Sequence, residues 1–359
     1  MTIKSDQKSG DNSNNYQASG NIINNNTTNN YTIVMYPIED VSRKLLNSVF
    51  GELPRETRKQ IEENQISYFK ILSESLNKIT KDIEELKKII SYPDFQYISK
   101  IAAISASRSS SNELHRSLSS LIIQRINNDK DDLKRIVYNE AISTIDKLTI
   151  DQLKIITLTL LLRNSSNSSI ISWDTFNNYL NTNIKPFLGF KNTRIEFQHI
   201  VYTGCGSISS TMGYYIIDKL RIIYPFLFSN LVEKEVIDNL SLPTKIKSRI
   251  VSMNTEENKY YFQFKNEIEL KEYLKENKIK QETMEKLISL YYRHIKNNNE
   301  INKKIIEETD IGNEIMRVWC GSILRTLSLT SVGMVIGANY YEQIIGEKIN
   351  VDTWMRSPF

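Results

Sequence analysis

Apolar residues recur at Phe69, Leu72, Leu76, Ile79, Ile83, Leu86 and Ile90, an unbroken alternation of three- and four-residue steps. That spacing lines one face of a helix, so it predicts a long heptad helix over residues 54–92, opened at Pro54 and stopped by Pro93. Lys and Glu fill the intervening positions, with i,i+4 pairs such as Glu84 and Lys88 that suit a solvated outer face. The spacing serves equally a coiled coil between copies and a bundle seam within one chain.

Polar punctuation at Arg108–Asn112, Asn127–Asp129 and Leu148–Thr149 divides the following stretch into short amphipathic helices. Thr149 and Gln152 stand as a capping-box pair ahead of Leu153, Ile156, Leu160 and Leu161. The Ser/Asn run 164–169 has neither apolar anchors nor charge pairs and reads as a hinge. Beyond it, helices are predicted at 173–184, 193–203, 208–223, 229–240 and 243–252, punctuated by Pro186, Gly204, Gly206, Pro225 and Pro243. One strand-like run covers 259–265, followed by mixed-charge helix over 267–308 with a break at 297–299. Two apolar helices, 312–327 and 331–345, close the pattern. The expectation is an all-α fold of multi-helix bundles, with a helical domain at 38–163 and a second at 170–359.

The first 37 residues break this pattern. Ser9-Gly10-Asp11-Asn12 recurs ten residues later as Ser19-Gly20-Asn21-Ile22, within a nearly uncharged, Asn-rich block that leads into a β-prone run at 31–36. Glycine permits the positive φ of a tight turn and Asn side chains ladder between stacked copies, so the block suits like-with-like stacking. The stacking face is assigned to Gly10, Asn12, Gln17, Gly20, Asn21, Ile22 and Asn24. Low hydrophobicity equally suits a solvated, disordered tail in an isolated monomer.

Composition narrows the function classes. With 46 basic and 42 acidic side chains, the net charge of +4 is too small and too dispersed to announce a nucleic-acid partner. Only two cysteines, Cys205 and Cys320, and a polar start with no apolar leader point to a reducing cytoplasm. The apolar, uncharged stretch 326–341 is shorter than the roughly 20 residues of a bilayer span, so membrane association is not expected. It carries Gly333 and Gly337 at the small-xxx-small spacing of closely packed helices. A membrane-active effector exposing that helix is one alternative function.

Chemistry is weakly signalled. Cys205 between Gly204 and Gly206, with His199 six residues earlier, is the one candidate for thiol catalysis, and a sharp turn around a small buried Cys explains it equally. His115, His199 and His294 show no metal-ligand spacing with either cysteine, and no phosphate-binding glycine loop is present, so neither metal nor cofactor is expected. Adjacent tyrosines at 214–215, 260–261, 291–292 and 340–341 are expected to place one ring in the core and one at its edge.

The segments Gly10-Asp11-Asn12-Ser13, Gln17-Ala18, Gly20-Asn21-Ile22 and Leu327-Ser-Leu-Thr-Ser-Val-Gly333-Met-Val-Ile-Gly337 resemble an uncharacterised bacterial helical family whose members carry only locus-tag names. The 54–92 helix, Lys147-Leu-Thr149 and Gln152-Leu153 fit the same pattern. The resemblance spans nearly the whole chain and implies no activity or catalytic residues. The N-terminal block is also similar in style to Gly/Asn/Gln segments of bacterial conflict and anti-phage proteins, where stacking links a sensor to an effector. The functional expectation is a non-enzymatic interaction or effector protein that forms homo-oligomers, with a protein partner, through the arm and the 69–90 seam.

Overall fold

The structure, a computed structural model, describes residues 53–76, 79, 83–210, 213, 215–255, 257–264, 266–294 and 296–351, without the side chains of Ile83 and His294. The N-terminal arm with its seven assigned stacking residues, and the strand expected at 31–36, lie outside them.

Helix is the rule, as the periodicity predicts. The four strands among the described residues are only three or four residues long. The expected 54–92 helix is described as two pieces, α1 (Arg55–Leu76) and α2 (Ile83–Ser91), with Ile79 between them outside any helix. Pro93 does not merely end α2. It occupies the first turn of α3 (Pro93–Ser107), where its missing N–H costs no hydrogen bond. Alanines 102, 103 and 106 on α3 are buried and allow close approach of its neighbours. Ser111 caps α4 (Asn112–Asn127) by accepting from the Leu114 N–H, and Asp131 caps α5 (Asp132–Thr144) by accepting from the Lys134 N–H.

At the centre lies α6 (Ile150–Thr159), which runs on as a wider turn through Asn164. It opens with the reciprocal Thr149–Gln152 capping box. Ile155, Ile156, Leu158 and Leu160 are all fully buried, the pattern of a helix covered on every side. After α7 (Trp173–Tyr179) the chain returns to cover it with α8 (Arg194–Tyr202), and the last helix, α17 (Ser331–Ile345), packs on it as well.

Two hydrophobic cores are present. The larger joins side chains from residues 68–228 to side chains from 301–351. The smaller draws only on 232–291. The chain therefore leaves the body after α9 (Ile216–Ile223) and α10 (Pro225–Phe228), and builds a separate module. That module holds α11 (Lys234–Asp238), α12 (Thr244–Ile250), the hairpin β2 (Val251–Asn254) and β3 (Lys259–Phe262), α13 (Glu267–Glu276) and α14 (Gln281–His294). It then returns to the body as α15 (Asn298–Glu308), α16 (Gly312–Cys320) and α17 (Ser331–Ile345).

Core side chains before and after the run 164–169 share the larger core. The loop is fastened: Asn167 N–H donates to the Tyr224 hydroxyl at 2.8 Å, and that hydroxyl donates back to the Asn167 carbonyl at 3.2 Å. Other local expectations also shift. Ile208, the first residue of the expected 208–223 helix, ends β1 (Gly206–Ile208), which pairs antiparallel with β4 (Leu327–Leu329), and the helix starts only at Ile216. Of the adjacent tyrosines, Tyr340 and Tyr341 are both buried, since α17 is enclosed on more than one side.

A charge cluster around the buried Arg125 ties α3, α4 and α5 together. Arg125, 1% exposed, donates to Asp94 at 2.7 Å and to Asp129 at 2.6 Å, with its guanidinium 5.3 Å from the Phe95 ring centre. Burial alone would raise the Asp94 pKa. The hydrogen bonds from Arg125 and Asn139, reinforced by the charges of Arg125 and Arg135, outweigh it and hold the carboxyl below its usual range.

Candidate functional site

Two glycine-bearing segments singled out in the sequence meet in space. The turn after α8 reaches Gly204 at φ +76°, a conformation that favours glycine. Gly206 then pairs with Leu329, the Thr330 N–H donates to the Cys205 carbonyl at 3.1 Å, and the Thr330 hydroxyl donates to the Gly204 carbonyl at 2.6 Å. Thr330 also caps α17 by accepting from the Gly333 N–H. A Cβ on Gly333 would overlap the Cys205 carbonyl oxygen, and one on Gly337 would come within 3.2 Å of Ile156 Cγ2. Both glycines of α17 are thus occupied by packing inside this chain.

This junction encloses the thiol candidate. Cys205 is fully buried, and burial pushes its thiol up, which disfavours the reactive thiolate. His199 is turned to a different partner: its Nδ1 lies 3.1 Å from Gln152 Oε1, an acceptor, so Nδ1 carries the donated proton. The same oxygen accepts from the Thr149 N–H, and Gln152 Nε2 donates to Glu196 at 2.8 Å. His199 thereby braces the start of α6, with its ring stacked on Tyr202 at 6.0 Å.

The predicted seam is likewise consumed. Phe69, Leu72 and Leu76 on α1, and Leu86 and Ile90 on α2, are buried in the larger core, and Ile79 packs against it. Their apolar face is turned inward on the chain's own helices, because α1 lies against α3 and α4.

Two sites emerge that no motif marks. The first surrounds Lys219 on α9, in an apolar recess of 40 Å³ lined by Leu161, Phe176, Leu180, Ile216 and Met316. Its ammonium donates to the carbonyls of Leu161 (3.3 Å), Leu162 (3.0 Å) and Ser165, at the end of the central helix where carbonyls lack intrahelical partners. Burial lowers its pKa to about 7, while the three carbonyls favour the charged form. The geometry is that of a helix-end clamp.

The second is a cleft of 390 Å³ between body and module. Its body wall carries Trp173, Phe226 and the α15 side chains of Lys303 and Lys304. Its module wall carries Asn254 and Glu257 from the β2–β3 turn, and the two connections, through Ser229–Leu231 and Lys296, form its floor. Trp173 is held edge-on by Phe176 (5.8 Å) and Phe228 (5.2 Å), and the Lys304 ammonium lies 5.5 Å over its ring. Arg221 fixes the floor, donating to the Lys296 carbonyl at 3.1 Å and to Asn298 at 2.7 Å. Burial first, and then the like charge of Lys304, lowers the Lys296 pKa. The sequence signal nearest to this cleft is the Asn-rich break at 297–299, which marks the start of α15 but not the rings it faces.

Among the described residues no group of three or more His, Cys, Asp or Glu is placed to hold a metal ion, and no helix is long and apolar enough to cross a membrane. No curated protein and no solved structure matches the chain. A family model does match, over residues 35–355, and the chain belongs to that family, an uncharacterised one.

Proposed function

We propose that this protein is a non-enzymatic, cytoplasmic interaction or effector protein that self-associates through its Asn-rich arm, with phage defence as the setting suggested by the style of that arm. The observation that supports this reading is the burial of the seam residues, Leu72 and Leu76 above all, in the chain's own core. The longest apolar stripe is spent internally, so association falls to residues 9–31, whose repeat suits stacking. Enclosure of Cys205 and of the Gly333–Gly337 face supports interaction over thiol chemistry or membrane insertion.

Absolute mass by light scattering after size exclusion, over a concentration series, tests this on the full chain and on a chain starting at Ile38. The expected result is a larger species that disappears on truncation. An oligomer that survives truncation, or a monomer in both, overturns the assignment to the arm.

A further inference from the structure

The cleft between body and module has unspent chemistry. Of its three carboxylates, Glu300 accepts from the Asn297 N–H in the α15 capping box, Glu307 pairs with Lys303 at 3.6 Å, and Glu257 acts on Lys296 as a charge that favours its ammonium form. Lys296 and Lys304 face the same space without an ion pair among the described residues; burial and then the like charge of Lys304 disfavour the Lys296 ammonium, and the charges of Glu257, Glu300 and Glu308 offset this only in part. An anion between them would relieve that repulsion and gain two charge-assisted hydrogen bonds.

Beside the two ammonium groups stands a rigid aromatic platform. Phe176 and Phe228 pin the Trp173 edge, and the Lys304 ammonium lies over its face. Such a lysine leaves the ring for a nearby anion, freeing the indole for a flat group attached to that anion. The neighbouring Phe226 ring, itself 5.8 Å from Tyr261 of the module, extends the apolar side. At 390 Å³ the space is on the scale of one small ligand and lies where two structural units meet, a preferred place for such sites.

We propose that this cleft binds a small phosphorylated ligand with a flat ring, of the mononucleotide class, its phosphate on Lys296 and Lys304 and its ring on Trp173. A ligand seated there touches both connections of the module and the β2–β3 turn, and therefore fastens the module to α15. Binding at the cleft does not depend on how the arm assembles.

The test uses the full chain titrated with AMP, followed by calorimetry and by tryptophan fluorescence, with adenosine and inorganic phosphate as separate probes. AMP is expected to bind saturably and more tightly than either fragment. The double variant Lys296→Gln/Lys304→Gln should weaken AMP binding by about tenfold or more. Trp173→Leu should weaken AMP while leaving phosphate binding unchanged. Three results overturn the proposal: no saturable AMP binding, wild-type AMP affinity in a double variant whose circular dichroism is also wild type, or phosphate binding as tightly as AMP.

Discussion

The body and the inserted module solve the same problem by opposite routes. The module's core comes from one contiguous stretch, 232–291, and its hairpin and the α13–α14 pair join near neighbours in the chain. The body closes only when α17, from the far end, packs on α6 and α5 and when β4 pairs with β1 more than a hundred residues earlier. Contacts between near neighbours carry a small loop-closure cost, whereas distant ones must wait for the intervening chain to be ordered. The module's core is thus assembled within one stretch of chain, whereas the body's core is completed by its last helix.

The largest expected effect separates the two cores directly. Trp319→Ala, at a side chain 1% exposed in the body, should cost about 3–5 kcal/mol. Leu287→Ala, fully buried in the module, should cost about 2–5 kcal/mol there. Hydrogen exchange on each variant is the measurement: protection should fall in the body helices for the first and chiefly in 232–291 for the second. If both variants lose protection everywhere, the cores are one cooperative unit and the contrast fails.

Closure by α17 is sharpened at Gly333. Because the added methyl of Gly333→Ala meets a backbone carbonyl, which has little room to give, the cost should be about 1–3 kcal/mol, measured as a lower urea midpoint. Gly337→Ala meets a side-chain methyl at 3.2 Å and should cost less. Equal midpoints for Gly333→Ala and the wild type would show that the α17 start is not tightly seated.

The smallest effect concerns the clamp on the central helix. Lys219→Met leaves the Leu161 and Leu162 carbonyls without that donor, at a cost of about 1–3 kcal/mol. The pH dependence has a definite sign. With the folded pKa near 7 and the unfolded one at 10.5, the unfolded chain holds more protons between those values, so this group makes stability rise with pH from 7 upward. Urea midpoints at pH 7, 8 and 9 should climb more steeply in the wild type than in Lys219→Met. Parallel slopes would mean that the carbonyls keep Lys219 charged throughout.

Much of the local structure was legible in the chain itself. The Thr149–Gln152 box, the helix over 331–345 and the restart after Asn297 follow from side chains that serve their own backbone within a few residues. The helical class followed in the same way from apolar spacing. Neither a period nor a cap states which face meets which partner. The seam from Phe69 to Ile90 is compatible with a second copy or with α3 and α4, and only the folded chain chose the latter. β1 and β4 are three residues each, too short to carry an alternation, and exist because the Cys205 turn and the α17 start are brought side by side. Lys219, Lys296, Lys304 and Trp173 lie in no motif, and their chemistry arises from burial and from neighbours distant in sequence. What the sequence determined by itself was helix, cap and break, since these depend on residues within one or two turns. The nested cores, the sealed Cys205 and the cleft were decided by tertiary structure, because each depends on packing between segments that the chain order keeps far apart.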